Sequence, residues 1–193
     1  LRKSSFIENN VQCCCNINKC RNHAITQNSL HCMSKQCVNA NKVETCDNMG
    51  NWDVSEVTLM DYLFDEEGCS DYEGISVHSW QTTNVEIMRG MFQNTQKFSE
   101  NLNFDTSNVI NMENMFTHSN FNGQIKFKST KNVEDMSGMF SSAPLFNQPL
   151  DFDTQRVTSM TAMFSNTKLF NQNLFFDTKS VITMNSMFSG AER

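Results

Sequence analysis

The stretch Val109–Phe116, VINMENMF, decides the fold. It recurs as VEIMRGMF (Val85–Phe92), VEDMSGMF (Val133–Phe140), VTSMTAMF (Val157–Phe164) and VITMNSMF (Val181–Phe188). A looser copy, VTLMDYLF, occupies Val57–Phe64. The closing phenylalanines Phe64, Phe92, Phe116, Phe140, Phe164 and Phe188 are 28 residues apart once and 24 apart thereafter. Self-similarity at such a period marks a repeat architecture, in which each unit buries its apolar face only against its neighbours.

Within a copy, apolar residues fall at offsets 0, 3, 6 and 7. This spacing predicts a short helix with Val, Met, Met and Phe on one side. Eleven of the 13 methionines stand in two of these columns, which reads as core packing rather than a cofactor box. Thioether side chains are flexible and fill irregular gaps between layers.

The rest of the repeat reads as extended. Phe98, Leu102 and Phe104 follow Phe92; Phe146, Leu150 and Phe152 follow Phe140; Phe170, Leu174 and Phe176 follow Phe164. After Phe116 the set slips by one, to Phe121, Ile125 and Phe127. Leu-x-Phe is a two-residue alternation, so both side chains share one face of a short strand. The predicted fold is an α/β repeat solenoid of about six turns of 24 residues, each a short strand, a bend at Asp-Thr, a short helix and a return loop. Polar residues align as well: Asp105, Asp153 and Asp177; Thr106, Thr154 and Thr178; Asn122, Asn147 and Asn171. Such side chains are expected to bond backbone at the bends.

Two features carry a family resemblance. One is Trp52-Asp53-Val54-Ser55 ahead of VTLM. The other is FDT-x-x-V-x-x-M-x-x-MF, with FNQ-x-L between copies. In these motifs the chain resembles the BspA-like leucine-rich-repeat surface proteins from about Asn51 to its last residue. The resemblance implies a leucine-rich-repeat-like solenoid on a secreted or surface protein, with roles in adhesion and interaction. It brings no catalytic residues.

Residues 1–49 differ in composition. They hold Cys13, Cys14, Cys15, Cys20, Cys32, Cys37 and Cys46, with few apolar residues, so they cannot build a sizeable core alone. The eighth cysteine, Cys69, lies in the first repeat. Adjacent cysteines pair poorly with one another, so Cys13, Cys14 and Cys15 are expected to bridge to different partners. Cys-x4-Cys beside His31 is the rival zinc reading, but the spacing is not standard for that metal. Disulfides imply an oxidising compartment. The chain thus divides into a cysteine-rich cap or arm (1–49) and a repeat domain (50–193). The arm is expected to cover the open first turn. The insertion Asp65–Ser79 explains the longer first interval and reads as a solvated acidic loop.

Composition narrows the function. The net charge of −6 and pI of about 5.2 argue against nucleic acid as a partner. No apolar run is long enough for a membrane span. A chain beginning at Leu1 without a signal-like region fits a processed secreted product, placed outside the cell or on its surface. No metalloprotease, phosphate-loop or nucleophile-elbow motif is present, and a carboxylate repeated in every turn reads as architecture. An enzyme is not expected, nor a cofactor or resident metal.

Two functions remain. The first is a structural subunit that self-associates head-to-tail. Its candidate assembly interface comprises Trp52 at one end and Met184, Met187 and Phe188 at the other, because a contact between unlike ends that does not close makes a filament. The second is an adhesin holding a protein or glycan on one face. The candidate ligand face there is Asn103, Lys126, Asp151 and Phe175, the outward positions beside the Leu-x-Phe segments.

Overall fold

Hydrogen bonds between successive copies carry the architecture. The computed structural model describes residues 49–65 and 75–192. The proposed arm, apart from Met49, lies outside the described residues. So do all eight cysteines and the loop acids Glu66, Glu67, Asp71 and Glu73.

The backbone of the VxxMxxMF segment is a run of turns. Met88 N–H donates to the Asn111 carbonyl at 3.0 Å, Gly90 to Glu113 at 2.8 Å, Phe92 to Met115 at 2.9 Å and Asn94 to Thr117 at 2.9 Å. The N–H groups that follow Gly90, Phe92 and Asn94, on Met91, Gln93 and Thr95, close turns on the carbonyls of Met88, Gly90 and Phe92. The same alternation repeats from Met112, Met136 and Met160. From each central methionine onward, donors thus alternate between the following copy and a turn within their own copy, and the Glu113 and Ser137 N–H groups donate to the Asn111 and Asp135 side chains.

This replaces the short helix expected from offsets 0, 3, 6 and 7. The only helical element among the described residues is the 3₁₀ turn Met49–Asn51. The cause is a column of left-handed residues two places before the closing phenylalanine: Tyr62, Gly90, Asn114, Gly138, Ala162 and Ser186. A second column, Asn94, His118, Ser142, Asn166 and Gly190, stands two places after it. One left-handed residue interrupts a right-handed helical ladder, and as the third residue of a turn it favours the type II arrangement. Glycine and asparagine supply that conformation cheaply at Gly90, Asn114 and Gly138.

Strand pairing is also displaced. Isolated parallel bridges run Leu59, Ile87, Asn111, Asp135, Ser159, Thr183 across successive copies, inside the segment read as helix. The Leu-x-Phe segments contribute one bridge among the described residues, Leu102 with Ile125.

The core consists of columns of like residues. Val57, Val85, Val109, Val133 and Val157 are fully buried, as are Met60, Met88, Met112, Met136 and Met160. The rings of Phe64, Phe92, Phe116, Phe140, Phe164 and Phe188 form one spine, with centroids 5.4–5.6 Å apart. A second spine, Phe98, Phe121, Phe146 and Phe170, packs against the first at 4.0–4.3 Å. A third runs Phe104, Phe127, Phe152, Phe176. Near-parallel offset rings exchange water for aromatic surface on both faces.

Polar ladders hold the bends. Thr82, Thr106, Thr130 and Thr154 are buried, and each hydroxyl donates to a carbonyl of the next copy, on Asp105, Ser129, Asp153 and Asp177. Asn84, Asn108 and Asn132 donate their amides backwards to the carbonyls of Ser55, Thr83 and Ser107 at 2.7–2.8 Å. The aligned aspartates bond as expected. Asp53, Asp105, Asp153 and Asp177 each accept the backbone N–H two residues on at 3.0–3.1 Å. The asparagine column instead links copies: Asn122 Oδ1 accepts the Asn147 N–H, and Asn147 Oδ1 accepts that of Asn171, both at 2.9 Å.

Candidate functional site

The third ring column positions a largely exposed surface. At 24-residue spacing Trp80 precedes Phe104, and Trp52 stacks on Trp80 at 6.2 Å. Residues alternate across the column, so those on either side of each ring face solvent. The predicted ligand residues Asn103, Lys126, Asp151 and Phe175 are all exposed and stand in successive copies; Phe175 is 87% exposed. The structure brings these four into one row.

The row is longer than the sequence reading gave it. Asn51 and Ser79 continue it towards the first copy, and both are exposed. A second row, Asp53, Gln81, Asp105, Lys128, Asp153 and Asp177, flanks the column on its other side. The signal was in the sequence as the residues one before and one after each ring. It was obscured where tryptophan replaces phenylalanine and the interval lengthens to 28.

Electrostatics along the second row are local. Lys128 Nζ lies 2.8 Å from Asp105 Oδ2. The lysine, with the Ser107 hydrogen bonds, holds the Asp105 carboxyl down at about 2. Asp53 is lowered by its bonds to Ser55, and Asp177 by the Lys179 backbone N–H. Where the two rows reach the first described copies they border a cleft of about 280 Å³, lined by Gly50, Asn51, Trp52, Asp53, Val54, Ser79 and Gln81.

The predicted assembly residues lie in the first and last described copies. Trp52 is half-buried against Trp80 in the first described copy. Met184 and Phe188, in the last, are 43% and 50% exposed, and Ile182 beside them is 84% exposed. Their equivalents Met160 and Phe164 one copy earlier are fully buried. Met187 is itself buried at 8% exposure.

A different cluster sits on the bridge face. The Arg89 guanidinium lies 5.2 Å above the Tyr62 ring and 3.6 Å from the Asp61 carboxylate. Tyr62 is left-handed and leans over Gly90, where any side chain would collide with its ring. This is a structural clasp between the first two described copies.

Among the described residues, no group of three or more His, Cys, Asp or Glu side chains is placed to hold a metal ion. No helix among them is long and apolar enough to cross a membrane.

Comparison with protein families gives one result. The family model described as "Mycoplasma protein of unknown function, DUF285" matches residues 14–123 and 102–193. No curated protein and no solved structure matches the chain.

Proposed function

From the premise that the chain belongs to the DUF285 family, we propose a non-enzymatic structural and interaction protein of the cell exterior. Its copies form a leucine-rich-repeat-like solenoid of the BspA-like kind, and it self-associates head-to-tail. Stacked like residues, rather than a constellation of reactive groups, support this reading. The family is itself a related repeat family of surface type.

The observation that carries self-association is the change in exposure along the main phenylalanine spine. Phe164 is fully buried under the ring of Phe188, while Phe188 is 50% exposed with Met184 and Ile182 beside it. That layer offers an apolar ring and the backbone N–H groups of Met184, Ser186, Phe188 and Gly190, which in earlier copies donate onward. A second copy of the chain, meeting this layer with its Trp52 end, extends the stack in a contact that does not close. Sedimentation of the 193-residue chain tests this. Mass should rise with concentration, and Phe188→Glu should restore the monomer. A monomer at all concentrations overturns it.

A second reading is favoured by the exposed row Asn103, Lys126, Asp151 and Phe175. A side chain as apolar as Phe175 at 87% exposure suits an adhesin contact on the side of the solenoid, with a protein or glycan as ligand. Loss of surface attachment in Phe175→Ser, with mass and melting unchanged, is the result expected of it.

A further inference from the structure

The cleft at the first described copies has a chemistry of its own. Its walls come from two adjacent copies: Gly50 to Val54 from one, Ser79 and Gln81 from the next. Trp52 gives it an aromatic wall, fixed by stacking on Trp80 with 17° between the ring planes. Around that wall stand an amide on Asn51, a carboxylate on Asp53, a hydroxyl on Ser79 and an amide on Gln81, all on exposed residues. Asp53 spends Oδ1 on the Ser55 N–H at 3.1 Å.

These features exclude most ligand classes. Among the described residues the lining has one carboxylate, too few for a hard divalent cation. Among the described residues it has no lysine or arginine, so phosphate and nucleotides find no counter-charge there. Its polar lining gives little area to an apolar peptide. One class remains that combines an apolar ring face with a rim of hydroxyls. We infer that this cleft binds an uncharged pyranose sugar. The C–H face of the ring packs on Trp52, and its hydroxyls donate to Asp53 and exchange hydrogen bonds with Asn51, Ser79 and Gln81.

Charge sets the specificity. The chain carries a net charge of −6, and Asp53, Asp105, Asp153 and Asp177 recur along the adjoining row. Acidic sugars are repelled. The row continues from the cleft past Asn103 and Asp105, so an oligosaccharide has polar partners in the next copy as well. This deepens the adhesin reading and rests on it, moving its ligand from an unspecified surface to a glycan.

The tryptophans make the cleft observable. Trp52 and Trp80 are the chain's two tryptophans, so intrinsic fluorescence reports on this place alone. The experiment titrates the 193-residue chain with methyl mannoside, N-acetylglucosamine and chitotetraose, with sialic acid as the charged comparison. A saturable fluorescence change is expected with at least one neutral sugar. Chitotetraose should bind several-fold tighter than N-acetylglucosamine, and sialic acid should give none. Gln81→Ala, at an exposed position, should weaken binding about five-fold, the effect of one lost hydrogen bond, with an unchanged melting curve. Absence of a saturable change with every neutral sugar overturns the inference, as does a Gln81→Ala chain that binds like the parent. A chain that attaches to an extracellular protein through Phe175 but binds no sugar overturns the inference and leaves the adhesin reading standing.

Discussion

The ring of Phe116 lies 5.4 Å from that of Phe140 and within 5° of parallel, although 24 residues separate them in the chain. Neither ring has a unique partner, since Phe140 stacks equally on Phe164 at 5.6 Å. Removing one ring from the middle of such a column leaves a gap bounded by two flat faces that cannot close on each other. Phe140→Ala is expected to cost about 3–5 kcal/mol, the range for a fully buried aromatic. Phe188→Ala, with one face of the ring uncovered, is expected to cost less than half as much. Denaturant unfolding of the two variants checks the contrast; equal losses would show that Phe188 is as enclosed as Phe140.

Ala162 and Gly138 give a pair with opposite signs. Both occupy the left-handed column, with φ of +54° and +61°. A Cβ there is unfavourable by roughly 1 kcal/mol. Ala162→Gly relieves that strain, though the looser unfolded chain takes back part of the gain, and a net increase of up to about 1 kcal/mol is expected. Gly138→Ala adds the same strain, and its new methyl collides with the Asn114 carboxamide oxygen. A loss of about 1–3 kcal/mol follows. Paired thermal melts decide the matter, since an alanine in an ordinary turn or helix would lose stability on mutation to glycine.

Asp105 makes part of the stability dependent on acid. Lys128 and the Ser107 hydrogen bonds hold its carboxyl at about 2, below the ordinary value of about 3.9. A carboxylate lowered on folding contributes stability that is complete above its unfolded pKa. That contribution is lost as the pH falls from about 4 towards 2. Lys128 is 70% exposed, which screens the pair, so the contribution is about 1 kcal/mol rather than the full amount the shift implies. Asp105→Asn should flatten the melting temperature between pH 4 and 2 relative to the parent. An unchanged slope would mean that Asp105 is not the group responsible.

The sequence made the packing columns legible and left the backbone path hidden. Offsets 0, 3, 6 and 7 correctly put Val109, Met112, Met115 and Phe116 in the interior, because burial depends on which side chains share a face. The same offsets suit a helix and a chain of turns alike. The deciding residues were Gly90, Asn114 and Gly138, whose types at one aligned position favour a left-handed turn. Ala162 and Ser186 carry no such signal and disguised the column. On the side of the stack, Asn103, Lys126, Asp151 and Phe175 were readable as an outward row. Its continuation through Asn51 and Ser79 was not, because the 28-residue interval breaks the alignment there.

Methionine oxidation separates the layers by their enclosure. Met112, Met136 and Met160 are fully buried between copies, and Met184 in the equivalent place is 43% exposed. Peroxide reaches a thioether only where solvent does, and the sulfoxide it leaves is polar. In the folded monomer Met184 should be oxidised first, with little change in the melt, because it is 43% exposed there. Oxidation of Met136 should appear only after partial unfolding. It then prevents refolding, since a buried sulfoxide oxygen in that column meets Val, Met and Phe side chains and no donor. Peptide mapping by mass at increasing peroxide, read beside the melting curve, follows both events. If Met136 and Met184 react at the same rate in the native chain, the central layers are open to solvent and the packing of like residues between copies is not what holds them together.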